Sequence, residues 1–167
     1  MIATPEFLAQ AVAPWASFYS HSKLAPTVVG FVHIGSIVVG GGLAISLDRS
    51  TLRVRAHDRD ARRRHLLELG SVHAWVIGAL ALAFLSGLAM LAADLDTFLG
   101  SWAFWTKLGL IAMLLANGAM MNHTEQALRA SPPRDGDRWG RLRGAAMTSL
   151  VLWLVITFAG VVLTNAA

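Results

Sequence analysis

The sequence predicts an all-α fold: a bundle of four transmembrane helices, preceded by a short helix lying on the membrane surface. Three observations carry that expectation. Of 167 residues, 55% are hydrophobic and only 14% are charged, whereas soluble domains carry about a quarter charged residues. Four stretches, 24–47, 70–93, 101–122 and 144–165, reach the about 20 mostly apolar residues that cross a bilayer core as a helix. Basic residues, finally, crowd into two loops. Arg49, Arg53, Arg55, Arg59, Arg62, Arg63 and Arg64 follow the first stretch, and Arg129, Arg134, Arg138, Arg141 and Arg143 follow the third. Only Lys23 and Lys107 lie elsewhere. The second loop has Asp94 and Asp96 and no Lys or Arg. Positive loops stay in the cytoplasm, so the first and third loops are expected inside and both termini outside.

Each element has its own signal. Thr4-Pro5-Glu6 reads as a helix start, and Leu8, Val12, Trp15 and Tyr19 recur at helical spacing. Residues 5–19 are therefore expected as one or two short interfacial helices, with a break at Pro14 as the alternative, or else a free tail. Met1 to Ser22 lacks the basic start and unbroken apolar run of a cleavable signal. The spans contain no alternating pattern of the barrel kind, and helices satisfy their own backbone groups in lipid. Residues 59–69 are expected to prolong the second helix into the cytoplasm. Trp102 and Trp105 fit the outer interface at the start of the third span. Ser131-Pro132-Pro133 to Gly136 marks a turn.

Several function classes drop out. Without cysteine there is no disulfide, thiolate metal site or thiol catalysis. The net charge of +4 sits beside apolar spans, which fits anionic lipid at the arginine loops rather than nucleic acid. No phosphate-binding glycine loop, Ser-His-Asp set or paired intramembrane carboxylates is present, and the last absence disfavours a proton-coupled transporter. One transmembrane domain covers residues 1–167.

Polar groups inside spans are costly and therefore informative. His33, His73, Lys107, Asn117 and the boundary residue His123 make the short list. At 1.5 Å per residue His33 lies about 13 Å below the outer end of its helix and Lys107 about 9 Å. His73 lies about 5 Å from the cytoplasmic side, so the two histidines differ by about 15 Å in depth. They do not belong to one ligand pair. His33 shares a helix face with Gly30, Ser36, Gly40 and Ala44, small residues that admit another helix or a flat macrocycle. It is either the axial ligand of haem b, iron bound through the imidazole, or a histidine hydrogen-bonded across packed helices. Lys107 either reaches the interface beside Trp102 and Trp105 or neutralises an acid group of a cofactor. His73 is expected near Asn117, Met120, Met121, His123 and Met147, in a place open to a second haem or a quinone. The methionines there, with Met113, read as apolar filler or, less well supported, as a copper site. His21, His57 and His65 fall in loops with no assigned role.

Val32-His33-Ile34-Gly35, running through Gly40-Gly41-Gly42 to Leu47-Asp48-Arg49, resembles the first span of an uncharacterised bacterial family of four-helix membrane proteins. Trp105-Thr106-Lys107-Leu108 resembles the start of that family's third span. More remotely, these features are similar to the membrane-bound bacterial protoporphyrinogen oxidase, and the layout also resembles copper-resistance membrane proteins and di-haem cytochromes b. The oxidase resemblance implies haem b on His33, with Arg49 and Lys107 as partners, in a bacterial inner membrane. Where the oxidase has a second histidine about three turns after its third-span lysine, this chain has Asn117-Gly118. The combined expectation is membrane electron transfer or oxidation with a quinone or redox partner, against a non-catalytic accessory subunit or small transporter.

Overall fold

The computed structural model describes residues 5–55, 57–130 and 136–166, with side chains to position 162. Among these the chain forms α1 (Glu6–His21), α2 (Leu24–Arg53), α3 (Arg59–Ala93), α4 (Leu95–Gly100), α5 (Trp102–Ala130) and α6 (Gly136–Ala166), and no strand. Helices α2, α3, α5 and α6 are long and apolar enough to cross a membrane. The protein is an all-α, multi-pass bundle, as the hydropathy pattern predicts.

All four long helices overrun their apolar stretches at the end that carries the arginines, the basic end. Asp58 starts α3 there, its side chain accepting from the Ala61 N–H at 2.9 Å. The proposed turn at 131–135 lies outside the described residues. At the opposite end α4 was not anticipated. Asp94 caps it, accepting from the Thr97 N–H at 3.2 Å.

Packing divides the bundle into two hairpins. Helix α2 lies along α3 and α5 lies along α6, and α2 against α6 joins the pairs, whereas α3 and α5 touch sparingly. Glycine makes the tight crossings possible. A Cβ on Gly40 would stand 2.8 Å from the Ala79 Cβ, and one on Gly41 would meet the Trp153 ring at 3.0 Å. Helix α6 is the central one, with 33% of its span buried against 6% for α5. Its Leu152, Trp153 and Ile156 pack with Leu114, while Trp139 and Leu142 pack with Leu69 and Leu128 nearer the basic end. Asn117 ties the second hairpin together, its amide donating to the Ala145 carbonyl at 3.0 Å. Large apolar side chains on the outer faces, such as Phe31, Trp75 and Leu154, stay exposed for lipid.

The N-terminal helix α1 is a single helix that runs through Pro14 without a break. Gln10 and Pro14 are both exposed, so water can serve the Gln10 carbonyl that Pro14 leaves without an N–H. Its start also differs from expectation: Pro5 is the N-cap, with no side-chain cap bond, and Thr4 lies outside the described residues. Trp15 moors α1 to the bundle by donating its indole N–H to the Ala89 carbonyl of α3 at 2.8 Å. Phe18 and Tyr19 ring Trp15 at 5.9 and 5.7 Å.

Candidate functional site: two polar layers in an apolar bundle

His33, half-buried on α2, faces α3. Its Nδ1 lies 2.9 Å from the Ala83 carbonyl and 3.1 Å from the Ser86 hydroxyl. A carbonyl only accepts, so Nδ1 carries the proton. The Ser86 hydroxyl donates to backbone carbonyls of its own helix, to Leu82 at 2.7 Å, and so presents only lone pairs to the ring. Both partners therefore fix a ring proton on Nδ1 and leave Nε2 unoccupied by either of them. Gly87 completes the seat: a Cβ there would come within 3.3 Å of the His33 Cε1.

Lys107 reaches the same layer from α5. Its Nζ stands 3.5 Å from where a Gly160 side chain would begin on α6, and it is within electrostatic range of His33. It thus lies against α6, apart from the exposed Trp102; Trp105 donates instead to the Leu99 carbonyl at 3.0 Å. All four spanning helices contribute to this layer. The depth estimate that grouped His33 with Lys107 agrees with that placement.

The other expected residues lie elsewhere. Gly40 is filled by Ala79, so the close approach at that glycine is made by α3. Arg49 is exposed, about 24 Å down α2 from His33 by helical rise. It lines a groove with Gly42, Ser46 and Arg53. His73 is exposed, as are Met113, Met120 and Met147. The inner cluster does not assemble, because Asn117 turns to α6 and α3 scarcely meets α5. Among the described residues no three His, Asp or Glu side chains gather as a metal site; a haem iron needs only one or two ligands from the protein.

A second polar layer, at the basic end, was missed. Thr51 is wholly buried and His65 is 2% exposed, on α3 rather than in a loop. Thr51 donates to the Leu47 carbonyl at 3.0 Å, and its oxygen meets the His65 Nε2 at 2.7 Å. With the hydroxyl proton committed to Leu47, Nε2–H is the donor between them. His65 Nδ1 looks toward Glu68 at 3.6 Å, and its ring edge meets Trp139. Burial pushes the His65 imidazole below its usual range, against the upward pull of Glu68 and Glu125. Arg62 sits 4.9 Å over the Trp139 ring. Buried Glu125 pairs with Arg129, which also donates to the Leu66 carbonyl of α3. One turn above Thr51, buried Asp48 lies beside Ser149, while its Oδ2 and the Trp139 indole nitrogen have no hydrogen-bond partner among the described residues. The only signal for this layer was Asp48 and Thr51 on the helix face that continues downward from Ala44, and the arginines around His65 obscured the rest.

Fold and layers together define a multi-pass helical membrane protein with a seated intramembrane histidine. No protein-family model, curated protein or solved structure matches the chain.

Proposed function

We propose that this is a bacterial inner-membrane protein with both termini outside, which binds haem b through His33 and carries electrons to or from a quinone or protein partner. The observation that supports it most is the tautomer of His33. A histidine that ligates a metal commonly donates its other ring N–H to a carbonyl, which fixes the ring and raises its basicity. Ala83 and Ser86 do this for His33, and the free Nε2 is the atom a haem iron requires. Gly30, one turn before His33, is open: a Cβ there would meet nothing within 4 Å. Lys107 is placed to offset a carboxylate at the same level. When bound, the haem would supply one-electron chemistry at iron. The chain's own part is to orient the imidazole, leave Nε2 open and hold a cation nearby. The resemblance at Val32 to Gly35 and at Trp105 to Leu108 supports the same reading. Arg49, at the other end of α2, has no part in it, and Gly40 serves the α2–α3 crossing.

A second reading has its own observation. The bond from His33 to Ala83 already satisfies a polar group between two helices, so His33 also works as a purely structural link in an accessory subunit. A visible spectrum of the detergent-purified protein, expressed with ample haem, separates the two. A reducible Soret band that disappears in His33→Ala supports ligation. A colourless wild type that also fails to take up added haem sinks it.

A further inference from the structure

At the basic end, α5 and α6 line a cleft of about 180 Å³ with His123, Thr124, Ala127, Arg138 and Arg141. We infer that this cleft binds the phosphate of an anionic phospholipid, whose acyl chain lies along the exposed face of α5 above it. The inference is independent of the role of His33.

Charge and geometry favour an anion. Arg138 and Arg141 stand one turn apart on the first turns of α6, and His123 adds a ring N–H from α5. Thr124 gives its proton to the Met120 carbonyl at 2.8 Å, so the donors in the cleft are the two arginines and the histidine. Ala127 supplies a small floor. The nearest acid on α5, Glu125, projects from the opposite side of that helix, where it is buried and paired with Arg129. Asp137, on α6, is exposed and does not line the cleft.

A free phosphate ion would need nothing more. The surroundings point to a lipid. Residues 123–127 and 138–141 lie just beyond the apolar stretches that end at 122 and begin at 144, the level of phospholipid headgroups. On α5, Met113, Ala116 and Met120 rise from the cleft at helical spacing, in line with His123 and Ala127. All three are exposed, Met113 by 59% and Met120 by 52%. A basic cleft between membrane helices with an apolar track above it matches the two halves of an anionic lipid. That pairing also accounts for methionines that neither the packing nor the His33 layer uses.

The test uses the full chain in detergent with added dioleoylphosphatidylglycerol, dioleoylphosphatidylcholine or inorganic phosphate, and reads bound lipid by native mass spectrometry. Wild type should retain the glycerol lipid in preference to the choline lipid. Arg138→Gln with Arg141→Gln should weaken glycerol-lipid retention about thirtyfold, each arginine at a membrane surface contributing about fivefold. Arg63→Gln with Arg64→Gln removes the same charge from α3 and should leave the preference intact. Met120→Asp, which keeps every cleft donor, should weaken the lipid as well. Equal losses from both arginine pairs would overturn the site in favour of diffuse surface charge. Competition by inorganic phosphate at lipid-equivalent concentration would overturn the lipid as occupant. Should the Arg138/Arg141 double variant lose its helical circular dichroism, Met120→Asp and each single Gln variant decide the matter by the same readout.

Discussion

Thr51 on α2 and His65 on α3 meet at 2.7 Å at the basic end of the bundle, both withdrawn from solvent. The contact makes a relay of hydrogen bonds from imidazole to hydroxyl to the Leu47 carbonyl. Thr51→Val keeps the shape but leaves the His65 N–H without an acceptor. Stranding a buried donor costs about 1–3 kcal/mol, so the variant should unfold earlier in detergent while keeping its helix content at low temperature. Unchanged thermal unfolding would show that water replaces the hydroxyl.

The same histidine makes stability depend on pH, and the sign follows from burial. Burial lowers the folded-state pKa of His65 below its ordinary 6.5. Between those two values the unfolded chain binds a proton that the folded chain refuses, so stability falls with falling pH. The contribution is fully present above pH 6.5 and is lost as pH falls through the folded value. His65→Gln should flatten this part of the melting temperature profile on the acid side of 6.5. A profile identical to wild type would remove His65 from the account.

Haem retention should rank variants by their distance from the His33 seat. His33→Ala removes the ligand and should abolish binding. Gly87→Ala pushes a methyl toward the ring at 3.3 Å and should reduce retention partly, with an altered Soret position. Lys107→Ala should shift the midpoint potential more than it lowers occupancy. His73→Ala, on an exposed residue, should change nothing. If His73→Ala bleached the protein as fully as His33→Ala, a single outer-layer site would be untenable.

Arginines at the basic end should separate into two kinds. Arg62 is buried above Trp139, whereas Arg63 and Arg64 are exposed. A desolvated cation over an indole contributes about 0.5–2 kcal/mol. Arg62→Ala should therefore lower the melting temperature, and Arg63→Ala with Arg64→Ala should instead reduce the fraction inserted correctly. Equal melting points for the two variants would contradict the division.

Orientation is open to a direct check. A reporter active only outside the inner membrane should work when fused after Ala167 or near Asp96, and fail near Arg59 or Asp135. Activity at Arg59 would invert the topology.

The spans were legible because lipid imposes one strong, local requirement, a run of apolar residues, and the arginines flag the ends. The extension of α3 through residues 59–69 was legible too, but those of α5 and α6 were not, since they continue through polar sequence that carries no hydropathy signal. Pro14 left the choice between one helix and two open, and one forms because a missing N–H is harmless on an exposed face. His33 and Lys107 stood out as isolated polar groups among apolar ones, and helical rise alone matched their depths. Ser86 and Gly87 did not, because the register that brings α3 against His33 is set by long-range packing at Gly40 and Ala79. His65 was hidden by its arginine neighbours, which suggest a solvated surface where the side chain is in fact buried.

The division of the packing into two hairpins has a consequence for biogenesis. Everything that seats His33, namely Ala83, Ser86 and Gly87, lies on the helix that follows it, and Trp15 of α1 moors to that same helix at Ala89. The histidine can thus be oriented once residue 93 has left the ribosome, before α5 and α6 have packed. Lys107 and the cover of α6 arrive later, as a lid laid over a finished socket. A ligand captured during synthesis would meet the open half of the bundle, and the second hairpin would close on it. The order in which the spans are made is, on this reading, also the order in which the site is built.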